Sequence, residues 1–282
     1  MKIALAQLDM GFEDKGFAMK TCVELMEKAA AKEADLIVFP EMTLTGFTMS
    51  PATYGELKEN SMTITFFQDV AKKFQMAVVF GVIFLEDGTA RNHSIVMDKN
   101  GQILTDYAKI HPFSYGAEAK YYSGGDELAF CQVDGVPLSP FVCYDLRFPE
   151  IFQAASKKSL VMTVIANWPV ARVGHWNSLL QARAIEHHSF FVRANRSGKD
   201  RTLTYSGDSM LVSPTGEILA HLTGGNELAV VEIDRFQLQI VCGGTLRPLS
   251  PQAVGKNILD RKTFPVFVIR SLTLIGGNRA AP

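Results

Sequence analysis

Asp35-Leu36-Ile37-Val38-Phe39-Pro40-Glu41 is the stretch whose reading decides the fold. Apolar residues run from Leu36 to Phe39 without alternation, which marks a strand buried on both faces, as in parallel sheets covered by helices. Upstream, Phe17–Lys32 places Met19, Cys22, Val23, Leu25, Met26 and Ala29 on one recurring face, so an amphipathic helix precedes the strand. Lys2–Leu8 before it alternates enough for a strand. Downstream, Ile64–Phe74 reads as a second helix and Met76–Phe84 as another strand. The strand–helix–strand–helix rhythm predicts an α/β layer fold.

Further along, hairpins enter the pattern. His93–Met97 and Gln102–Ala108 flank Lys99-Asn100-Gly101, and Asn-Gly between apolar runs signals a tight turn. Phe130–Val133 and Pro137–Val142 flank Asp134-Gly135 in the same way. Pro149–Ser156 and His175–His188 read as helices. Leu160–Ala166, Phe190–Ala194, Ser209–Val212, Ile218–Ala220 and Leu228–Ile233 read as strands. Parallel-type strands mixed with hairpins predict two facing mixed sheets with helices outside. No linker or repeat divides the chain, so residues 1–282 read as one domain. The stretch from about 240 to 282 is an atypical extension, weakly periodic until Phe264–Ile269.

Composition narrows the function. The 282 residues carry a net charge of −1, with 47% hydrophobic and 20% charged residues. That is ordinary for a globular protein and leaves no basic footprint for nucleic acid and no polybasic membrane arm. No apolar run approaches membrane-spanning length and no signal-peptide core follows Met1, so a cytoplasmic location is expected. Cys22, Cys131, Cys143 and Cys242 are scattered without metal-ligand spacing and read as free thiols. His187 and His188 are adjacent and lack the i, i+4 spacing of a metal-binding helix. No metal or other cofactor is expected.

Three apolar strands end in chemistry. Phe141-Val142-Cys143-Tyr144-Asp145 delivers a cysteine to a sharp break ahead of a helix, where backbone N–H groups and the helix dipole favour a thiolate. Val38-Phe39-Pro40-Glu41 ends in a carboxylate, at the end of a strand where open α/β sheets hold their sites. Asp106-Tyr107-Ala108-Lys109 ends in an ammonium. Each alone has an ordinary reading: a core thiol, a loop acid, a solvated lysine. Together they supply a base, a cation and a nucleophile, which is an acyl-transfer set.

The segments IVFPEMTLTGF, YAKIHPF and FVCYDLRFPE resemble the three signature blocks of the nitrilase superfamily of carbon–nitrogen hydrolases. The resemblance covers Lys2 to about Asp234. It implies a four-layer α-β-β-α sandwich, assembled as a homodimer or higher homo-oligomer. It also implies Glu41 as general base, Lys109 as the supporting cation and Cys143 as nucleophile. Glu118 stands where the family commonly holds a second glutamate. The backbone N–H of Tyr144 joins Lys109 as a candidate for holding the oxyanion. HPFSYGAEAKYY departs from the family at Pro112, which stiffens the loop after Lys109.

NWP (167–169), QARAIE (181–186), ANR (194–196) and YSGDSM (205–210) resemble the ω-amidase branch, whose substrates are short acids with a terminal amide. Such a substrate calls for a pocket arginine, and Arg147 and Arg172 are the candidates. Tyr144 and Trp168 are expected beside it, with Phe47, Phe113 and Tyr115 as an aromatic wall. Another amidase of the superfamily, such as a deaminated-glutathione amidase or an N-carbamoyl hydrolase, is the alternative. A silent scaffold protein is disfavoured because all three triad residues are present.

Overall fold

A computed structural model describes residues 1–233. The expected extension from about 240 to 282, with Cys242 and Phe264–Ile269, lies outside the described residues. One sheet contains β1 (Lys2–Gln7), β2 (Leu36–Val38), β3 (Ala77–Glu86), β4 (Thr89–Met97), β5 (Ile103–Ala108) and the last strand, β14 (Glu227–Glu232), in the order β14-β1-β2-β3-β4-β5. The other contains β6 (Cys131–Val133), β7 (Val136–Val142), β8 (Val161–Ala166), β9 (Phe190–Asn195), β12 (Ser209–Val212) and β13 (Ile218–Leu222), in the order β13-β12-β9-β8-β7-β6. A small ribbon of β10 (Ser197–Lys199) and β11 (Thr204–Ser206) stands apart.

Both sheets share one plan. Three neighbouring strands run parallel, β1-β2-β3 in one and β7-β8-β9 in the other, with antiparallel strands on the flanks. The two faces of β1 explain the layering. Ile3 and Leu5 join a core that also holds Leu138, Phe141 and Val164 of the second sheet. Ala4 and Ala6 join a different core with Cys22, Leu25 and Met26 of α1 (Lys15–Ala30). After α2 (Pro51–Tyr54), α3 (Met62–Phe74) adds Ile64, Phe67 and Val70 to that outer core. A short α4 (Glu118–Tyr121) follows β5, and α5 (Pro149–Ala155) and α6 (Val173–His187) cover the far face through Phe152, Trp176 and Leu180. The order is helix, sheet, sheet, helix: the expected four-layer sandwich.

Local signals set the ends of these elements. Asp14 and Ser61 cap α1 and α3, accepting from the N–H groups of Phe17 and Ile64 at 3.0 Å each. Both helices therefore start two residues earlier than their apolar periodicity suggests. β3 and β4 form one long hairpin closed at Asp87-Gly88, both with positive φ, where the apolar pattern suggested only His93–Met97 as the second strand. The turns at Asn100-Gly101 and Asp134-Gly135 close β4–β5 and β6–β7 as their sequences predict. No helix of the described residues is long and apolar enough to cross a membrane.

Candidate active site

Glu41, Lys109 and Cys143 follow the C-terminal ends of β2, β5 and β7, and the sandwich brings those ends together. Glu41 is carried on a loop that tucks against β3. Thr43 N–H donates to the Gly81 carbonyl at 3.0 Å, and Gly81 N–H donates to Thr43 Oγ1 at 2.8 Å. A Cβ at Gly81 would meet the Met42 nitrogen at 2.1 Å, so the loop reaches this depth only over a glycine.

The charged groups sit in the interior, with Glu41 0%, Lys109 1% and Glu118 0% exposed. Lys109 Nζ donates to Glu41 Oε1 at 3.0 Å and to Glu118 Oε1 and Oε2 at 3.0 and 2.8 Å. Glu118, at the start of α4, also accepts from Phe113 N–H at 2.6 Å. Glu41 Oε2 accepts from Asn167 N–H at 2.8 Å, while Asn167 Nδ2 donates to the Glu41 carbonyl at 2.7 Å. Asn92 Nδ2 donates to both glutamates, 2.7 Å to Glu41 and 3.0 Å to Glu118. Burial alone would pull the Lys109 ammonium down. The carboxylates of Glu118 and Glu41, with Cys143 behind them, hold it well above its ordinary value.

Cys143 begins a 3₁₀ turn, Cys143–Arg147, with φ of +47°, a left-handed conformation that costs a non-glycine residue about 1–2 kcal/mol. Asp145 holds the turn from below. Its carboxylate accepts from Val142 N–H at 3.1 Å, Tyr107 hydroxyl at 2.8 Å and His111 N–H at 3.0 Å. The His111 ring also meets it, Nδ1 at 2.9 Å, and stacks on Phe148. The strained elbow is thereby tied to the strand that carries Lys109. The expectation of a thiolate favoured by a helix N-terminus is corrected here. Burial first, then the Glu41 charge, pushes the Cys143 thiol well above its ordinary value, against the pull of Lys109. The thiol therefore holds its proton more tightly than a free cysteine does.

In front of Cys143 lies a pocket of about 410 Å³, its open mouth included. Phe47, Phe113, Tyr144 and Trp168 give it apolar walls, and Arg147 and Arg172 reach it from two sides. Arg147 lies over the Trp168 and Tyr144 rings at 5.1 and 5.8 Å and meets His175 Nδ1 at 3.0 Å. Arg172 lies over Phe113 at 5.0 Å. Neither guanidinium is in an ion pair among the described residues.

A family model for carbon-nitrogen hydrolases matches residues 2–240. The chain belongs to that family. Among its relatives, a 2-oxoglutaramate amidase of Bacillus subtilis (strain 168) is 33% identical over 236 residues, 82% of this chain and 90% of the relative. An omega-amidase of Yersinia enterocolitica is 34% identical over 231 residues, covering 80% and 86%. A superfamily protein of Xanthomonas campestris has the same fold, with a TM-score of 0.80 at 25% identity over 89% of this chain and 99% of that one.

The hydrolase fold accounts for most of the residues singled out in the sequence. Glu41, Lys109, Glu118 and Cys143 form one cluster, and Phe47, Phe113, Tyr144, Arg147, Trp168 and Arg172 line the pocket before it. Tyr115 does not join them: it is 88% exposed and stands outside the wall, with Phe113 turned inward in its place. Among the described residues no group of His, Cys, Asp and Glu is arranged to hold a metal. Sequence reasoning missed Asn92, Asp145 and Asn195, and Leu203 at the pocket mouth. Asn195 accepts from Trp168 N–H at 2.7 Å and donates to the Trp168 carbonyl at 3.0 Å, which fixes the segment bearing Asn167. Asn92 gave no signal, because it stands between Arg91 and His93, just before the run His93–Met97 that reads as a strand.

Proposed function

We propose that this carbon-nitrogen hydrolase removes the terminal amide of a short carboxylic or 2-oxo acid, an ω-amidase reaction proceeding through a Cys143 thioester. One observation carries the substrate class. Two guanidiniums border a mostly apolar pocket and have no acidic partner among the described residues, and a ligand carboxylate would supply one. The apolar walls of Phe47, Phe113 and Trp168 suit a short carbon chain between the amide and the far carboxylate. The 2-oxoglutaramate amidase and omega-amidase relatives agree with this reading.

The chemistry follows from the tightly held thiol proton beside Glu41. As the sulfur attacks the amide carbon, its proton passes to Glu41. Charge develops on the former carbonyl oxygen, toward the Lys109 ammonium and the Tyr144 N–H. Glu41 returns the proton to the departing nitrogen, the carbon–nitrogen bond breaks, and ammonia leaves a thioester on Cys143. Water then attacks that carbon, giving a proton to Glu41. The carbon–sulfur bond breaks, the sulfur takes the proton back, and the carboxylic acid departs. Lys109 keeps its charge throughout, held by Glu118.

The test is ammonia release from α-ketoglutaramate, α-ketosuccinamate and glutamine, with Cys143→Ala alongside. Release from the keto-acid amides that the substitution abolishes is the expected result. A folded protein releasing none from any of them moves the substrate to another amidase branch. The same reading includes a cytoplasmic enzyme working as a homodimer or higher homo-oligomer, and a monomer in light scattering would remove the latter part.

A further inference from the structure

Asn92 lies on β4, 1% exposed, with its side chain between the two glutamates. A primary amide has one nitrogen with two hydrogens. Here one faces Glu41 Oε1 at 2.7 Å and the other Glu118 Oε1 at 3.0 Å. The amide oxygen is buried without a partner among the described residues. An orphaned acceptor costs free energy, so the side chain is placed for its donors. Its main chain serves the same cluster, since the Asn92 carbonyl accepts from Lys109 N–H at 2.8 Å. One residue thus fixes the backbone of the cation and one oxygen of each carboxylate.

We propose that Asn92 is a positioning residue, which steadies Glu41 in the attitude from which it takes the Cys143 proton and keeps Glu118 from drifting into that role. The inference rests on the reading of Glu41 as the base. Lys109 cannot do this alone. Its ammonium is shared between two carboxylates at the end of a long side chain and can turn about its own axis, whereas the two hydrogens of an amide are fixed in one plane. Asn92 spans the two acids on its own nitrogen and so fixes their spacing. It is neutral, so it adds donors without adding charge. The other titratable groups facing Glu41 are Lys109, Glu118, Cys143, Tyr122 and Tyr205, and none of them offers a neutral double donor.

The experiment is the pH dependence of Cys143 alkylation by iodoacetamide, followed by mass on the Cys143 peptide, because it needs no knowledge of the natural amide. Wild type, Asn92→Leu and Glu41→Gln are compared, with thermal unfolding of each. Asn92→Leu is expected to alkylate about ten- to hundred-fold more slowly at neutral pH. Its acid limb moves up by about one pH unit, because a carboxylate that loses a donor holds its proton to higher pH. A role in packing alone would lower the unfolding temperature and leave the limb in place, and an unmoved limb overturns the inference. Glu41→Gln tests the underlying reading separately. It should replace the wild-type limb by one set by the ionisation of the Cys143 thiol alone, and a limb unchanged from wild type would remove Glu41 as base whatever Asn92 does. If Asn92→Leu does not fold, Asn92→Ser carries the test: a hydroxyl has one hydrogen and cannot donate to both acids, so the limb should still move upward, and an unmoved limb again overturns the role.

Discussion

Two sets of charges meet at Cys143, and they are built on opposite terms. Behind the sulfur, Glu41, Lys109 and Glu118 are sealed in the interior, and the charged atoms are bonded to one another and to Asn92, Asn167 and the Phe113 N–H. In front of it, Arg147 and Arg172 border an open pocket, resting on aromatic rings without an acid between them. A buried charge without partners would not survive folding, so the rear set must be complete before any ligand arrives. The front set can remain incomplete because water reaches it. On the proposed reading the difference separates chemistry from recognition: substitutions behind the sulfur should act on kcat and stability, and substitutions in front on KM.

The sharpest break is Glu41→Gln. It removes the proposed proton acceptor and should lower kcat about 100- to 10,000-fold. The same change removes a negative charge that raises the thiol, so Cys143 should ionise at lower pH than in wild type. Thiolate absorbance in the ultraviolet, read against Cys143→Ala, checks this. An enzyme with an easier thiolate and a lower rate would show that the carboxylate works as a base, beyond its electrostatic effect. A thiol that ionises no earlier would contradict the arrangement.

Lys109→Met tests the rear set as a structural unit. It leaves two carboxylates buried together without their cation, which should cost about 3–5 kcal/mol of stability. The loss should shrink as pH falls, since a carboxylate facing another carboxylate binds a proton more readily folded than unfolded. Urea unfolding at neutral and mildly acid pH measures both effects. A pH-independent loss would mean that the acids do not face each other in the variant.

The same contrast explains what the sequence disclosed. Glu41, Lys109 and Cys143 were legible because each is a reactive side chain ending an apolar strand, and the buried runs at Leu36–Phe39 and Val161–Ala166 made the layers legible too. The amides that complete the rear set were not. Asn92 and Asn167 carry no charge, and their importance comes only from which carboxylate their hydrogens face, a matter of register between β4 and β3 and of how β8 meets the Glu41 loop. Tyr115 was misplaced for a related reason: an aromatic residue in a loop gives no sign of the side it faces. The Cys143 environment was misjudged because a strand–turn–helix pattern suggests a dipole, while burial depth and a neighbour 102 positions upstream decide the proton.

In the front set, Arg172→Met should raise KM about ten- to hundred-fold for keto-acid amides, through loss of a charge-assisted bond, with kcat little changed. A neutral amide of similar length, such as butyramide, should be unaffected, and that comparison separates a lost carboxylate contact from a distorted pocket. Arg147→Met is expected to act in the same direction and to loosen Trp168 as well, because its guanidinium covers that ring. An unchanged KM in both variants would remove the carboxylate from the pocket and with it the contrast between front and rear.

The smallest effect should come from Leu203, which borders the pocket mouth at the tip of the β10–β11 ribbon and is 39% exposed. The tip is firmly built. Asp200 Oδ1 accepts from the N–H groups of Thr202 and Leu203 at 2.7 Å each, and Asp200 Oδ2 accepts from the Tyr205 hydroxyl at 2.6 Å. Arg196 Nη2 holds the tip end of β10 through the Lys199 carbonyl at 3.0 Å. None of these bonds uses the Leu203 side chain, so Leu203→Ala shortens the wall without moving the tip. The ratio of kcat/KM for a longer over a shorter ω-amide should rise about three- to ten-fold, as expected for one partly buried apolar side chain. Stability should change little at so exposed a site. A ratio that stays fixed would place the length limit deeper, among Phe47, Phe113 and Trp168. The ribbon would then be a border of the mouth that substrates do not touch.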